Sequence, residues 1–214
     1  MKFFLLIVVV ILVCVYVEGK TSSSTPCKVP HQFVGNYGIY KHTHDGNNTA
    51  NTGLMYFDGD NQRIRVDIIS KGVPYKIVQL YTEKVQYVMF KYKGKDMCII
   101  LPFTKPFTPV EIPSTSLELE HGRIGSAKHG LDVRRFYGTK DGVHFIVTVT
   151  ADECMVTDTV ARVPMQFIAY FSLTNISRFE VTDADYAHPS DCKPVGHAPE
   201  HHARMAREAP SEFN

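Results

Sequence analysis

Gly53-Leu54-Met55-Tyr56-Phe57-Asp58-Gly59-Asp60-Asn61-Gln62-Arg63-Ile64-Arg65-Val66-Asp67-Ile68-Ile69 is the stretch on which the fold reading turns. Ile64, Val66 and Ile68 alternate with Arg63, Arg65 and Asp67, a period of two that puts apolar side chains on one face of a strand and charges on the other. The run 53–57 meets it through Asp58-Gly59-Asp60-Asn61, residues that tolerate the positive φ values of a tight turn. The pair therefore reads as a hairpin of 53–57 with 62–69. Similar β-branched and aromatic runs recur at 33–40, 75–81, 85–92, 97–101, 131–137, 143–150, 155–160 and 165–173, and helical periodicity is scarce. So many short strands predict a mainly β protein, a sandwich or open barrel. Pro102, Pro106, Pro109 and Pro113 punctuate a segment with few backbone donors, expected to cross a sheet edge or cap an opening.

Lys and Arg total 23 against 22 Asp and Glu in 214 residues, so there is no global positive field to attract a nucleic acid. Met1-Lys2 is followed by an uncharged apolar run, 3–17, shorter than a bilayer span, and Val17 and Gly19 suit a peptidase site. The reading is a signal peptide, 1–19, a Ser/Thr-rich spacer, 20–25, a β domain, 26–192, and a tail, 193–214, expected to be disordered or a frayed helix. Secretion follows, with the lysosome as a second destination. Cys14 leaves with the leader, and the four remaining cysteines, Cys27, Cys98, Cys154 and Cys192, lack the tight spacing of zinc ligands. Two long-range disulfides are expected, with three pairings open. Asn47-Asn48-Thr49 and Asn175-Ile176-Ser177 are glycosylation sequons. Asn47 is expected in an exposed loop, and Asn175, after an apolar stretch, is expected to be partly buried.

Two strands are apolar on both faces. Tyr87 and Met89 oppose Val88, Phe90 and Tyr92, and Met165, Phe167, Ala169, Phe171 and Leu173 oppose Ile168 and Tyr170. A second layer or partner subunit explains this, and so does an apolar ligand on the concave side. On periodicity alone, packing is the simpler account.

Five segments in order resemble the ependymin-related secreted proteins. They are Pro26-Cys27-Lys28-Val29-Pro30-His31-Gln32-Phe33-Val34-Gly35, the hairpin turn Tyr56 through Arg65, the Pro-rich 101–113, Val149-Thr150-Ala151-Asp152-Glu153-Cys154-Met155-Val156, and His188-Pro189-Ser190-Asp191-Cys192. The resemblance implies the pairs Cys27 with Cys154 and Cys98 with Cys192. It also implies a fold similar to bacterial lipoprotein carriers, two stacked curved antiparallel sheets enclosing a hydrophobic pocket, and a homodimer. With it, the ligand explanation overtakes packing. Expected pocket residues are Tyr87, Met89, Phe145, Val147, Phe167, Ala169 and Phe171, and the expected function is binding of a lipid or other apolar ligand.

The alternative implied by the resemblance is a calcium-binding protein of cell-matrix adhesion, with the extracellular matrix as partner. Calcium is then the one cofactor in view. Asp58-Gly59-Asp60 resembles the start of an EF-hand loop, but Arg63 stands where Gly is required and Ile69 where Glu is required. Asp58 and Asp60 are therefore weak metal candidates, and no third ligand converges on His42 and His44. The 10 histidines make the chain cationic as pH falls toward 5, which predicts adsorption to an anionic membrane surface in acidic compartments. No nucleophile elbow, HExxH helix, phosphate loop or dinucleotide fingerprint occurs, and an enzyme is not expected.

Overall fold

The computed structural model describes residues 25–70, 72–178 and 181–209. The leader and most of the spacer, 20–24, lie outside them. Among the described residues, twelve strands run in the order β1 (Gln32–Thr43), β2 (Asn48–Asp58), β3 (Arg63–Ser70), β4 (Val73–Leu80), β5 (Val85–Tyr92), β6 (Lys95–Pro102), β7 (Leu117–Ile124), β8 (Leu131–Lys140), β9 (Val143–Thr150), β10 (Val156–Val163), β11 (Phe167–Ser177) and β12 (Lys193–Pro194). A helix, α1 (Glu200–Arg207), follows.

The mainly β expectation holds, but the strands form one open sheet, β12-β6-β5-β4-β3-β2-β1-β11-β10-β9-β8-β7, where two were expected. The cause is β1, which pairs with β2 on one edge and with β11 on the other, and so welds two meanders together. Layering is nevertheless achieved. Ile77, Val88 and Ile99 from one wing and Phe136, Val147 and Val149 from the other belong to one buried cluster, so the sheet curls until its inner face packs on itself. A β-bulge between Val34 and Asn36, opposite Thr174 and Ser177, helps the bend. Asn175 lies within it at φ 49°, a conformation Asn tolerates better than most residues.

The deciding hairpin forms as read, with Met55 opposite Val66, Phe57 opposite Ile64 and Asp58 opposite Arg63. Its turn is held by Asp58, which is fully buried and accepts hydrogen bonds from Asn61 Nδ2 at 2.8 Å, Arg63 Nε at 2.6 Å and Gln32 Nε2 at 3.1 Å. The left-handed residue of the turn is Gln62, at φ 52°.

Three expectations are corrected. The run 165–173 is not one strand, because Met165 sits at φ 59° in the turn before β11 and is 76% exposed. Strand β7 was not expected as a strand. It is a sheet edge of alternating Leu and Glu, and its carboxylates Glu118 and Glu120 pair with Arg134 and Arg135 of β8. The tail is structured as far as residue 209. Ala203, Ala206 and Ala209 are buried, and His202 packs edge-on to Phe90 and Tyr92 of β5, so α1 covers the inner face there.

The Pro-rich segment, 103–116, is a connector without regular structure. Phe103 and Phe107 stand edge-on to Tyr81 at 4.8 and 5.0 Å, and burial there pushes the Tyr81 hydroxyl up to about 12. Its later part carries Ile112 into the main core.

Candidate functional site

The seven residues expected to line one pocket lie on two faces. Tyr87 and Met89 point to the outer face of the sheet, where Val181 and Tyr186 cover them. The Tyr87 ring stacks on His188, with centroids 3.6 Å apart. Packing therefore explains the two-sided pattern of β5, and these two residues leave the inner pocket. A strand that is apolar on both faces does not reveal which face its own chain will cover.

Phe145, Val147, Phe167, Ala169 and Phe171 do share the inner face. Phe145 lies opposite Ala161, Ala161 opposite Ala169, and Ala169 opposite Lys41. The adjacent row runs from Phe136 through Val147, Thr159 and Phe171 to Ile39. Val66, Ile77, Val88 and Ile99 on the other wing are buried, whereas Phe145, Ala161, Phe167, Ala169 and Phe171 are only half-buried. The inner surface of β9, β10, β11 and β1 is thus apolar and incompletely covered by the chain.

At one end of this surface the Pro-rich segment arches over the sheet and leaves a cavity of about 340 Å³. Pro109, Val110, Ile112 and Pro113 form its roof, and Val143, Phe145, Val147, Val156 and Thr159 its floor. Lys140 Nζ and Glu111 Oε1 meet at 2.6 Å between the sheet and the segment, closing the charge at the rim. Gly138 makes room for the floor, since a Cβ there would overlap the Phe145 ring and Ser116 Oγ. The cavity sits at the lower end of the size range of small-molecule sites, with the apolar lining such sites have. A larger groove of about 960 Å³ lies beside β3 to β6. It is bordered by Tyr75 and Phe90 of the inner face and by Lys76, Met89 and Cys98 of the outer face, which makes it a notch in the rim rather than a chamber.

Both cysteine pairs implied by the family resemblance are present, Cys27 with Cys154 and Cys98 with Cys192. Asn47 is exposed in the β1–β2 turn, and Asn175 is exposed as well, contrary to its expected partial burial. The carboxylates read as weak metal candidates are occupied by protein partners. Burial pushes Asp58 up, but hydrogen bonds from Asn61, Arg63 and Gln32 outweigh it and hold the carboxyl below its usual range. Asp60 pairs with His31 Nδ1 at 2.7 Å. Among the described residues no group of three or more His, Cys, Asp or Glu is placed to hold a metal ion, and no helix is long and apolar enough to cross a membrane.

No family model matches the chain. Among curated proteins it is 27% identical over 149 residues to mammalian ependymin-related protein 1 of Rattus norvegicus, and 28% identical to that of Mus musculus. Each match covers 64% of this chain, which spans about 62% of the length of either relative. Among solved structures, an uncharacterised conserved protein from Thermus thermophilus aligns with a TM-score of 0.45 at 11% identity, over 75% of this chain and 89% of its own. A LolA superfamily protein from Nitrosomonas europaea aligns at 0.36 and 7%, over 78% and 96%. Both structural likenesses are too loose to carry an argument about this chain. Together with the two cysteine pairs, the mammalian relatives support placing the chain in the ependymin-related family.

Proposed function

We propose that the protein is an extracellular carrier that holds a hydrophobic or amphipathic ligand between the inner face of β9, β10, β11 and β1 and the Pro-rich segment. The observation behind this reading is the contrast between wings. One inner face is sealed by its own residues, while the other leaves Phe145, Phe167, Ala169 and Phe171 half-buried beside an apolar cavity. Half-covered apolar surface of this kind gains free energy, about 25 cal/mol per Å², when a greasy ligand displaces water. The disulfides and the exposed sequons agree with an oxidising, extracellular setting.

Ala161 supplies the test, since it lies between Phe145 and Ala169 and is itself only half-buried. Ala161→Phe fills that space without touching either disulfide. Titration of an environment-sensitive apolar dye is expected to show saturable binding by the wild-type protein and at least a roughly tenfold weaker Kd in the variant, with an unchanged far-ultraviolet circular dichroism spectrum. Equal dye affinity in the two proteins would place binding elsewhere.

A further inference from the structure

Charge is sorted at the turn between β4 and β5. Thr82 and Glu83 border a polar opening that also takes Asp60, Arg63 and Asp183. The next residue, Lys84, lines a separate cleft of about 630 Å³, whose other cation is Lys105 of the Pro-rich segment and whose lining holds no Asp or Glu. Cations at the neighbouring openings are matched, Arg63 by Asp58 and Asp183 and Lys140 by Glu111. Lys84 and Lys105 are exposed, and neither pairs with a carboxylate among the described residues.

The backbone brings the two lysines to one opening. Lys84 stands at φ 57° in the turn; its N–H donates to the Tyr81 carbonyl at 3.3 Å, and its own carbonyl accepts from the Phe103 N–H at 2.8 Å. That second bond ties the turn to the start of the Pro-rich segment, two residues before Lys105. Phe103 and Phe107 close edge-on around Tyr81, and Phe107 also stacks on Phe57 with centroids 5.7 Å apart. Tyr81, Pro106, Phe107 and Pro109 therefore give the cleft an apolar wall beside its two charges. Pro109 is the one residue it shares with the cavity over β9 and β10.

We propose that this cleft binds a sulfated saccharide, with the ammonium groups of Lys84 and Lys105 holding sulfate oxygens and a sugar ring lying against Phe107 and the prolines. An ammonium is a compact point charge on a flexible stem, and its N–H groups donate charge-assisted hydrogen bonds to a sulfate. A pyranose ring has an apolar C–H face that gains by leaving water for the wall. A phosphorylated peptide fits less well, because Pro106 and Pro109 carry no N–H to pair with a peptide carbonyl. The proposal is independent of the carrier reading, since no residue of β9, β10, β11 or β1 lines the cleft.

Isothermal titration of the oxidised protein with a heparin-derived hexasaccharide, and with the same hexasaccharide after removal of its sulfates and N-acetylation, tests it. The wild-type protein is expected to bind the sulfated probe at least roughly tenfold more tightly than the desulfated one. Lys84→Gln combined with Lys105→Gln is expected to weaken binding of the sulfated probe at least roughly tenfold. Lys95→Gln combined with Lys128→Gln removes the same charge from exposed positions outside the cleft and is expected to leave the affinity within about twofold. Each double variant changes exposed side chains only, so the circular dichroism of both should match the wild-type protein. Failure of the wild-type protein to bind the sulfated probe, equal affinity for the two probes, or undiminished binding by the Lys84 and Lys105 variant overturns the proposal. Equal weakening in the two double variants also overturns it, since binding then follows net charge alone. A phosphoserine hexapeptide that binds the wild-type protein as tightly as the sulfated hexasaccharide overturns the choice of a sugar.

Discussion

Replacing Cys98 and Cys192 together by serine is expected to lower stability by about 4 to 5 kcal/mol, the chain-entropy value for a closed loop of this size, since the two residues are 94 apart in sequence. The loss has a local origin as well. Cys192 ends the segment 181–192, whose Val181 and Tyr186 cover Tyr87 and Met89 on the outer face. Arg63 stacks on the Tyr186 ring at 4.3 Å, and Arg65 donates to the Asp185 carbonyl at 3.0 Å, so the cover has contacts of its own but no other disulfide to the sheet. Denaturant unfolding of the oxidised protein and of the double-serine variant measures the difference. A change below about 1 kcal/mol would mean that the cover docks without the bridge.

Asp58→Ala is expected to cost about 3 kcal/mol, because it removes the buried carboxylate from a largely buried guanidinium and leaves it only the exposed Asp183. Arg63 has 14% of its side chain exposed and bridges Asp58 and Asp183, each at 2.6 Å. Asn61 and Gln32 lose their acceptor in the same step. The pH dependence has a definite sign. The folded-state value of Asp58 lies below its ordinary 3.8, so its contribution is present above that value and is lost as pH falls through the lower folded one. Urea midpoints measured from about pH 7 down to about pH 3 should therefore fall more steeply for the wild-type protein than for Asp58→Asn. Parallel profiles would show that Asp58 does not carry its charge into the fold. The same residue had read as the start of a calcium loop; its geometry makes it the buried fastening of the β2–β3 turn.

Local pattern made the strands legible. Alternation in Arg63 to Ile68 gave both the hairpin and its inner face, and the ladder places Val66 between Met55 and Ile77 in the core. Strand β7 escaped notice because its polar alternation belongs to an edge that buries little. The number of sheets was not legible either. It depends on whether β1 keeps both its neighbours, a pairing of residues more than a hundred positions apart that no local period encodes. Tyr87 and Met89 were assigned to the pocket on the same ground as Phe145 and Phe171, but the cover that distinguishes them arrives from residues 181–192. The small residues Ala161 and Ala169 lie side by side on the half-covered inner face, and absence of bulk gives no signal in a hydrophobic pattern.

Native mass spectrometry of the protein purified without detergent is the most direct measurement of whether a greasy guest occupies the open wing. The account predicts a population heavier by one discrete mass of a few hundred daltons, which organic extraction removes, and a smaller such population for Ala161→Phe. A single mass matching the polypeptide with whatever covalent sugars it carries, unchanged after incubation with decanoate, would contradict it.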